Sequence, residues 1–470
     1  MARLALLMVV LACAAGAQDR QYWTHQFGTR SGLRGGIVLG GCEDTSAVYY
    51  NPGRVGWLTN DALKVSADAY QLSVLSMPDG AGKGQDLGSL EGDIVPLAAA
   101  GVFLFDGAPG HALGFQIMAR QFFNARASAR REALLNVIDD TRSPGSEDYI
   151  GTFDMYTATE EYWAGLCYSW AITDWISVGV SHFGALRFED IENSVSTRAV
   201  AGTQTYGADV NFGLDYWDVR VVNKLGVALD LGAVKLGFTV TTPSLQLLGY
   251  STVRRQVTVN DLDINGDGTA DNLEANARQS SVPSQFRSPW SFASGVDWSF
   301  GINTLAFAWE WFLPVGKYAA AKPAHDAPYL RGGLSTGGAR DFLTVYDGRR
   351  GAFNFGLSGE HRFLQDWSAL WSFRSDYAAD YLWDSQTALG ISSWDLWHVT
   401  HGIAYTTRQD DGSPKHEFLI GIALGFGAGK GKQPVNLDSP METGRLLGAS
   451  QNKAVSYFSL ALVVGYTYYF

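Results

Sequence analysis

The C-terminal stretch SYFSLALVVGYTYYF constrains this chain more than any other. In it Phe458, Leu460, Leu462, Val464, Tyr466, Tyr468 and Phe470 alternate with Ser459, Ala461, Val463, Gly465, Thr467 and Tyr469. A strand of period two puts the first set on one face. A soluble sandwich can end in a strand, but seldom leaves so many large apolar groups on one side. That face suits lipid.

Other segments repeat the pattern. In TLAFAWEWF, Leu305, Phe307, Trp309 and Trp311 share a face opposite Ala306, Ala308 and Glu310. In WSALWSFRSD, Trp367, Ala369, Trp371 and Phe373 oppose Ser368, Ser372 and Arg374. Small or polar residues inside and aromatics outside meet the needs of a wet lumen within a bilayer. The chain has 54 glycines, 13% aromatic and only 17% charged residues, which favours many short strands over helices on a soluble core. Its net charge of -12 argues against nucleic acid as a partner.

The N-terminus predicts export. Arg3 supplies a positive start, Leu4 to Ala12 an apolar run, and Ala15-Gly16-Ala17 a cleavage site, which makes residues 1–17 a signal peptide. Cys13 offers a lipidation alternative, which the residue at Leu11 fits poorly. Cleavage after Ala17 leaves Cys42 and Cys167, too few and too far apart for a disulfide scaffold, so both are expected as packed thiols. Beyond the signal no apolar run is long enough for a membrane helix. An exported, strand-rich chain of this kind is expected in the bacterial outer membrane as an all-β, multi-pass barrel.

Fourteen strands are predicted, near 62–75, 94–105, 111–123, 159–172, 176–188, 216–231, 234–248, 288–300, 304–315, 351–363, 367–377, 395–408, 415–428 and 454–470. Links after the even-numbered strands are short, as in TDW, GA, GIN and LQD; those after the odd-numbered strands are long. Outer-membrane barrels have short periplasmic turns, long external loops and an even strand count. The parity therefore predicts an antiparallel, 14-stranded transmembrane β-barrel over 62–470 with both termini in the periplasm.

Ahead of the first strand, RSGLRGGIVLGGCEDTSAVYYNPGRVGWL is too apolar for a solvated tail and too rich in glycine for a regular element. Residues 18–61 are accordingly expected to plug the lumen. Here the chain resembles the FadL family of outer-membrane transporters for long-chain fatty acids and other hydrophobic compounds. Its members share a fourteen-stranded barrel, an N-terminal hatch and an Asn-Pro-Ala motif, matched here by Asn51 and Pro52 with Gly53 in the alanine position. TTPSLQLLGY and SPWSFASGVDWSF are similar to the family's middle strands. The resemblance implies passive uptake of fatty-acid-like or aromatic compounds. These would be captured by external loops and would leave sideways through the wall beside a kinked third strand. Gly114 of HALGFQIMARQFF is the expected bulge.

Two further motifs have bland alternatives. DINGDGTADNLE, within a predicted extracellular loop over 249–287, matches a calcium loop: Asp263, Asn265, Asp267, Thr269, Asp271 and Glu274 fall at ligand positions and Gly268 at the turn. A structural Ca2+ is expected there, with an acidic turn as the alternative. In REALLNVIDD, Leu134, Leu135 and Ile138 have helical spacing and would offer an apolar face to ligand, or simply pack on the barrel rim. His398 and His401 would split onto opposite faces of a strand. No hydrolase, zinc-protease or phosphate-loop motif is present, so no enzyme is expected.

The expected partners are a hydrophobic small molecule, outer-membrane lipid and, because the C-terminal aromatic resembles its recognition signal, the barrel-insertion machinery. A monomer is expected. The alternative function is a non-transporting barrel in a protein secretion or surface-assembly system.

Overall fold

The structure is a computed structural model that describes residues 20–58, 61–105, 107–138, 142–263, 268–323, 330–331, 342–380, 394–438, 448 and 451–470. Alternation of outward apolar with inward small or polar residues drives strand formation along most of its length. The first half contributes β1 (Ala62–Met77), β2 (Leu87–Leu104), β3 (His111–Leu135), β4 (Glu147–Ala171), β5 (Ile176–Ala201), β6 (Gln204–Asp230), β7 (Val234–Thr241), β8 (Leu245–Leu262) and β9 (Asp271–Pro283). The second half contributes β10 (Ser291–Phe300), β11 (Asn303–Phe312), β12 (Val315–Ala321), β13 (Leu330–Arg331) and β14 (Val345–Arg349). It ends with β15 (Ala352–Leu364), β16 (Trp367–Asp376), β17 (Asp395–Arg408), β18 (Pro414–Lys432) and β19 (Asn452–Tyr469).

Fourteen of these close an antiparallel barrel: β1 to β7, then β10, β11 and β15 to β19, with β19 pairing back onto β1 from Ala62↔Tyr469 to Ser76↔Ser456. Each predicted strand has its counterpart. Tight turns join β4 to β5, β6 to β7, β10 to β11, β15 to β16 and β17 to β18 at one end. Ala62 and Tyr469 lie at that same end, so the turn parity read from the sequence holds.

The outward face is the apolar one. Phe458, Leu460, Leu462, Tyr466 and Tyr468 of β19 are exposed, while Val455, Tyr457, Ala461, Val463 and Thr467 are buried inside. Leu305, Phe307 and Trp311 of β11 and Trp367, Trp371 and Phe373 of β16 likewise point out. Aromatic pairs such as Trp298–Phe300 (4.7 Å between ring centres) and Trp367–Tyr405 (4.6 Å) belong to the girdle of the turn end. None of the described helices is long and apolar enough to cross a membrane. The crossing is made by strands.

Two features depart from the sequence reading. First, β3 to β6 run 25–27 residues, where about 9–11 suffice to cross a bilayer. Their outer halves, with β8 and β9, form an extension whose interior is a packed apolar core that includes Phe153, Ile191, Val195, Tyr206, Val210 and Val257. The stretch predicted as a long loop over 249–287 is thus largely the β8–β9 hairpin. Second, the strand predicted over 234–248 is broken at Thr242-Pro243-Ser244. A proline has no N–H to give the ladder; β7 pairs with both β6 and β10, whereas β8 pairs with β6 and β9.

The lipid face sets a test of the membrane register. Phe307→Arg should destabilise the barrel by about 2–4 kcal/mol, read as a lower denaturant midpoint in bilayers. The inward Ser368→Ala should shift it far less.

Candidate functional site

Residues 20–58 lie among inward-facing side chains of the wall. The first turns are short: α1 (Arg30–Leu33) and α2 (Ala47–Tyr50), followed by a 3-10 turn, Pro52–Trp57. Ion pairs tie the segment to well-separated strands. Arg34 meets Asp297 of β10, whose other oxygen accepts from Gly41 N (2.8 Å). Arg30 meets Glu360 of β15 and Glu417 of β18. Asp44 accepts from Ser31 N (3.0 Å), Ser46 N (2.8 Å) and Lys64 Nζ of β1 (3.3 Å). Burial opposes the Asp44 charge, but Lys64 and these hydrogen bonds together hold its carboxyl down at about 2.

The Asn51-Pro52-Gly53 motif docks on β5 and β6. Asn51 Nδ2 donates to Leu39 O (2.8 Å) and Val227 O (3.1 Å), while its Oδ1 accepts from Gly53 N (3.1 Å). A Cβ at Gly53 would sit 3.0 Å from Ser177 O and 3.1 Å from Gly226 O. The position therefore demands a very small residue because two backbones meet there.

Above this dock the wall is interrupted. β2 and β3 pair in seven steps, from Leu104↔Ala112 to Ala98↔Met118, and there the ladder ends. Beyond it β3 follows β4 alone, with an extra residue between Ala119 and Gln121. The two strands meet again where Arg126 N donates to Ser89 Oγ (2.9 Å). Residues 21–25 sit behind the interruption: Gln121 Nε2 donates to Gln21 O (3.2 Å), Arg120 Nη2 to Tyr22 O (2.5 Å), and His25 Nε2 lies 3.2 Å from Phe122 O.

Arg120 and Gln121 also line a mid-barrel cavity of about 60 Å³, with Tyr22, Tyr49, Trp163, Phe286 and Phe312 as its aromatic wall. Its floor carries Lys224 of β6, whose Nζ stands 4.6 Å from the centre of the Tyr49 ring. Among the described residues Lys224 makes no ion pair or hydrogen bond. Glu310 is held instead by Trp23 Nε1 (2.7 Å) and Ser291 Oγ (2.6 Å). Further charges are matched: Glu161 forms ion pairs with Arg187 (3.1 Å) and Arg220 (2.5 Å), and Asp218 pairs with Arg220 (3.0 Å).

No family model and no curated protein matches this sequence. Solved structures match it in fold. A FadL homologue of Pseudomonas aeruginosa aligns over 95% of this chain and 99% of its own, at 12% identity and a TM-score of 0.54. The toluene transporter TodX of Pseudomonas putida aligns over 96% and 99%, at 12% identity and 0.55. The monoaromatic hydrocarbon channel CymD aligns over 95% and 98%, at 10% identity and 0.53. The fold is that of the FadL barrels. A FadL-type barrel with this outward apolar belt is a bacterial outer-membrane protein.

On this FadL-type frame the residues singled out in the sequence separate. Gly114 is not a bulge: it stays in register with Val102 and Cys167. A Cβ there would stand 2.6 Å from Val48 Cγ2, so the glycine makes room for α2, and the irregularity falls at Arg120 instead. Leu134, Leu135 and Ile138 do not form a helical stripe. β3 runs to Leu135 in register with β4, so Leu134 points out, Leu135 inward, and Ile138 packs in the outer core. Pairing to a neighbour has overridden local spacing.

In the calcium-like loop Asn265 and Asp267 lie outside the described residues. Asp263 Oδ2 accepts from Gly268 N (2.8 Å), with Gly268 at φ +84, and Thr269 is exposed beside it. Asp271 and Glu274 belong to β9, where strand alternation puts them on opposite faces. His398 and His401 split as expected, one buried and one exposed. Residues 1–17, expected as a signal, and with them Cys13, lie outside the described residues. Sequence reasoning passed over Lys224, which shares the inward face of β6 with the charged Asp218 and Arg220.

His25 provides a pH test. Burial, reinforced by Arg120, His398 and Arg374, lowers its pKa from 6.5 to about 4 against the raising effect of Phe122 O. The folded protein therefore binds fewer protons than the unfolded chain between these values, and stability falls as pH drops from 6.5 towards 4, by about 3 kcal/mol at most. Amides of residues 22–26, corrected for intrinsic rates, should exchange faster at pH 4.5 than at pH 7. His25→Gln should reduce that pH dependence.

Proposed function

We propose that this barrel carries hydrophobic small molecules passively across the outer membrane, with residues 18–61 as a hatch and the interruption between β2 and β3 as the lateral exit. The observation that carries this reading is the end of the β2–β3 ladder at Ala98↔Met118, beside Arg120 and Gln121 of the mid-barrel cavity. An apolar solute gains roughly 0.8 kcal/mol per buried methylene in such a cavity and nothing in a water-filled pore. TodX is a toluene transporter and CymD a monoaromatic hydrocarbon channel, which supports the same substrate class here.

Lys224 narrows that class. A buried cation that makes no direct ion pair costs several kcal/mol, only partly offset by the nearby Glu310 carboxylate and a ring face worth about 2 kcal/mol. An apolar compound with one anionic end, fatty-acid-like or aromatic, would complete the site beside Tyr49. Lys224→Met should weaken binding of a carboxylate-bearing compound about tenfold or more, a change of about 1.4 kcal/mol, and leave its neutral analogue nearly unaffected.

Arg120 tests the exit. It is the extra residue of the bulge, so deleting it preserves the β3–β4 register on either side while removing the kink. Arg120→Ala keeps the kink and removes only the guanidinium. Uptake into vesicles reconstituted with the protein should fall at least tenfold for the deletion and much less for Arg120→Ala. Equal effects would sink the lateral exit.

For the calcium-like turn we propose a cation held by Asp263, Asn265, Asp267, Thr269 and Asp271, without Glu274 on the opposite face of β9. Millimolar Ca2+, the range of extracellular modules at about 10⁻⁴ to 10⁻³ M, should slow proteolysis of this turn. Asp263→Ala should cancel the protection, and Glu274→Ala should not. Protection indifferent to chelator removes the proposal.

A further inference from the structure

The wall is interrupted a second time, five strands round from the first. β7 and β10 pair in eight steps, from Val234↔Trp298 to Thr241↔Ser291. Above them β8 and β9 pair only from Tyr250↔Pro283 upward. Between the two ladders, residues 242–249 face residues 284–290 without regular pairing. A single backbone bond crosses, Ser284 N to Gly249 O (3.0 Å). The rest is side-chain stitching by Ser244 and Gln246. Ser244 Oγ donates to Phe286 O (3.3 Å) and accepts from Ser288 N (2.9 Å). Gln246 Nε2 donates to Leu248 O (2.6 Å) and, across the seam, to Ser284 O (3.4 Å), while its buried Oε1 has no partner among the described residues.

The interruption is written in prolines. Pro243 separates β7 from β8, Pro283 ends β9, Pro289 precedes β10 and Pro314 separates β11 from β12. Each removes a ladder donor, so neighbouring strands all break at one level. That level is ~20 Å above the periplasmic turns for a tilted strand of eight residues, within the outer leaflet. Leu245, Leu247, Leu248 and Trp290 are exposed on its lipid side. On the lumen side Thr241, Ser288, Pro289 and Ser291 line the mid-barrel cavity.

One buried side chain of the seam segment lines the cavity. Phe286 packs its ring against three guanidiniums: Arg187 and Arg220 at 4.3 Å and Arg349 at 4.7 Å. Their charges are matched by Glu161, Glu189, Asp218 and Asp347, so the slot asks for a ring rather than a further charge. Guanidinium faces stack on aromatic rings whatever chain carries them.

We infer that this seam is a second portal, gated by Phe286, through which a planar aromatic compound dissolved in the outer leaflet reaches the cavity by taking the place of the Phe286 ring. The inference rests on reading the mid-barrel cavity as a ligand site, but it does not require net transport. The test is therefore a labelling reaction in a bilayer. Full-length protein lacking its own thiols (Cys13→Ala, Cys42→Ala, Cys167→Ala) receives a reporter in the cavity, Ser291→Cys, and is exposed to N-(1-pyrenyl)maleimide partitioned into the lipid.

Phe286→Ala should speed labelling at least tenfold, and should do so equally in a background where deletion of Arg120 has closed the β2–β3 break. Phe286→Leu serves where the alanine variant does not fold, with a smaller rise in the same direction. Labelling no faster than with Phe286, or fast only while the β2–β3 break is intact, overturns the portal. Failure of the transport reading would show separately, as absence of uptake with the labelling pattern unchanged.

Discussion

In hydrocarbon every backbone N–H and C=O must find a partner, because an orphan costs several kcal/mol and water is not at hand. Closing β19 onto β1 solves this for the whole wall at once and leaves no edge. The requirement makes each interruption informative. Where β2 parts from β3, residues 21–25 stand behind the opening, and His25 lies against the carbonyl of Phe122 that the lost ladder has released. Where β8 and β9 part from β7 and β10, Ser244, Gln246 and the 284–290 strand of chain take over. Neither break is left bare, and each is closed by groups that can be withdrawn more cheaply than a ladder.

The same rule divides the barrel by height. At the turn end the wall is continuous and the N-terminal segment is bolted to it by ion pairs from β1, β10, β15 and β18. At the far end the long strands close over an apolar core of their own. Between these rigid caps lies the one level at which ladders stop, prolines gather and the cavity sits. A buried charge such as Lys224 is costly there because both caps exclude bulk water, and the Glu310 carboxylate and the Tyr49 ring face offset part of that cost.

Much of this was legible in the residues. Alternation in Phe458–Phe470 and in the tryptophan strands fixed which face meets lipid, and turn lengths alone fixed strand parity. The family resemblance singled out Asn51-Pro52-Gly53, but not where it docks; the close approach of Gly53 to the backbones of Ser177 and Gly226 appears only in the structure. Other parts resisted for physical reasons. The outer half of β3, NARASARREALL, turns mostly alanine and the charged Arg131 inward and mostly polar or charged residues outward, so no apolar period announces a strand; pairing to β4 supplies what the pattern lacks. Gly114 looked like a kink because a glycine in a strand can mark either a bulge or a close neighbour. Only the position of Val48 decides between them. Pro243 was visible inside an otherwise strand-like run, yet its meaning depends on three other prolines lining up across space.

The buried thiol of Cys42 gives the N-terminal segment a reporter of its own. Burial, with Asp44 nearby, pushes its pKa up to about 12, and Ser31 Oγ lies 3.3 Å from the sulfur. Thiolates, not thiols, react with oxidants and electrophiles, so in place this sulfur is inert even in an oxidising envelope. Were the proposed hatch to leave the lumen, the thiol would regain an ordinary acidity and meet solvent. Oxidation of this one sulfur would then mark a chain whose segment has left its place at least once.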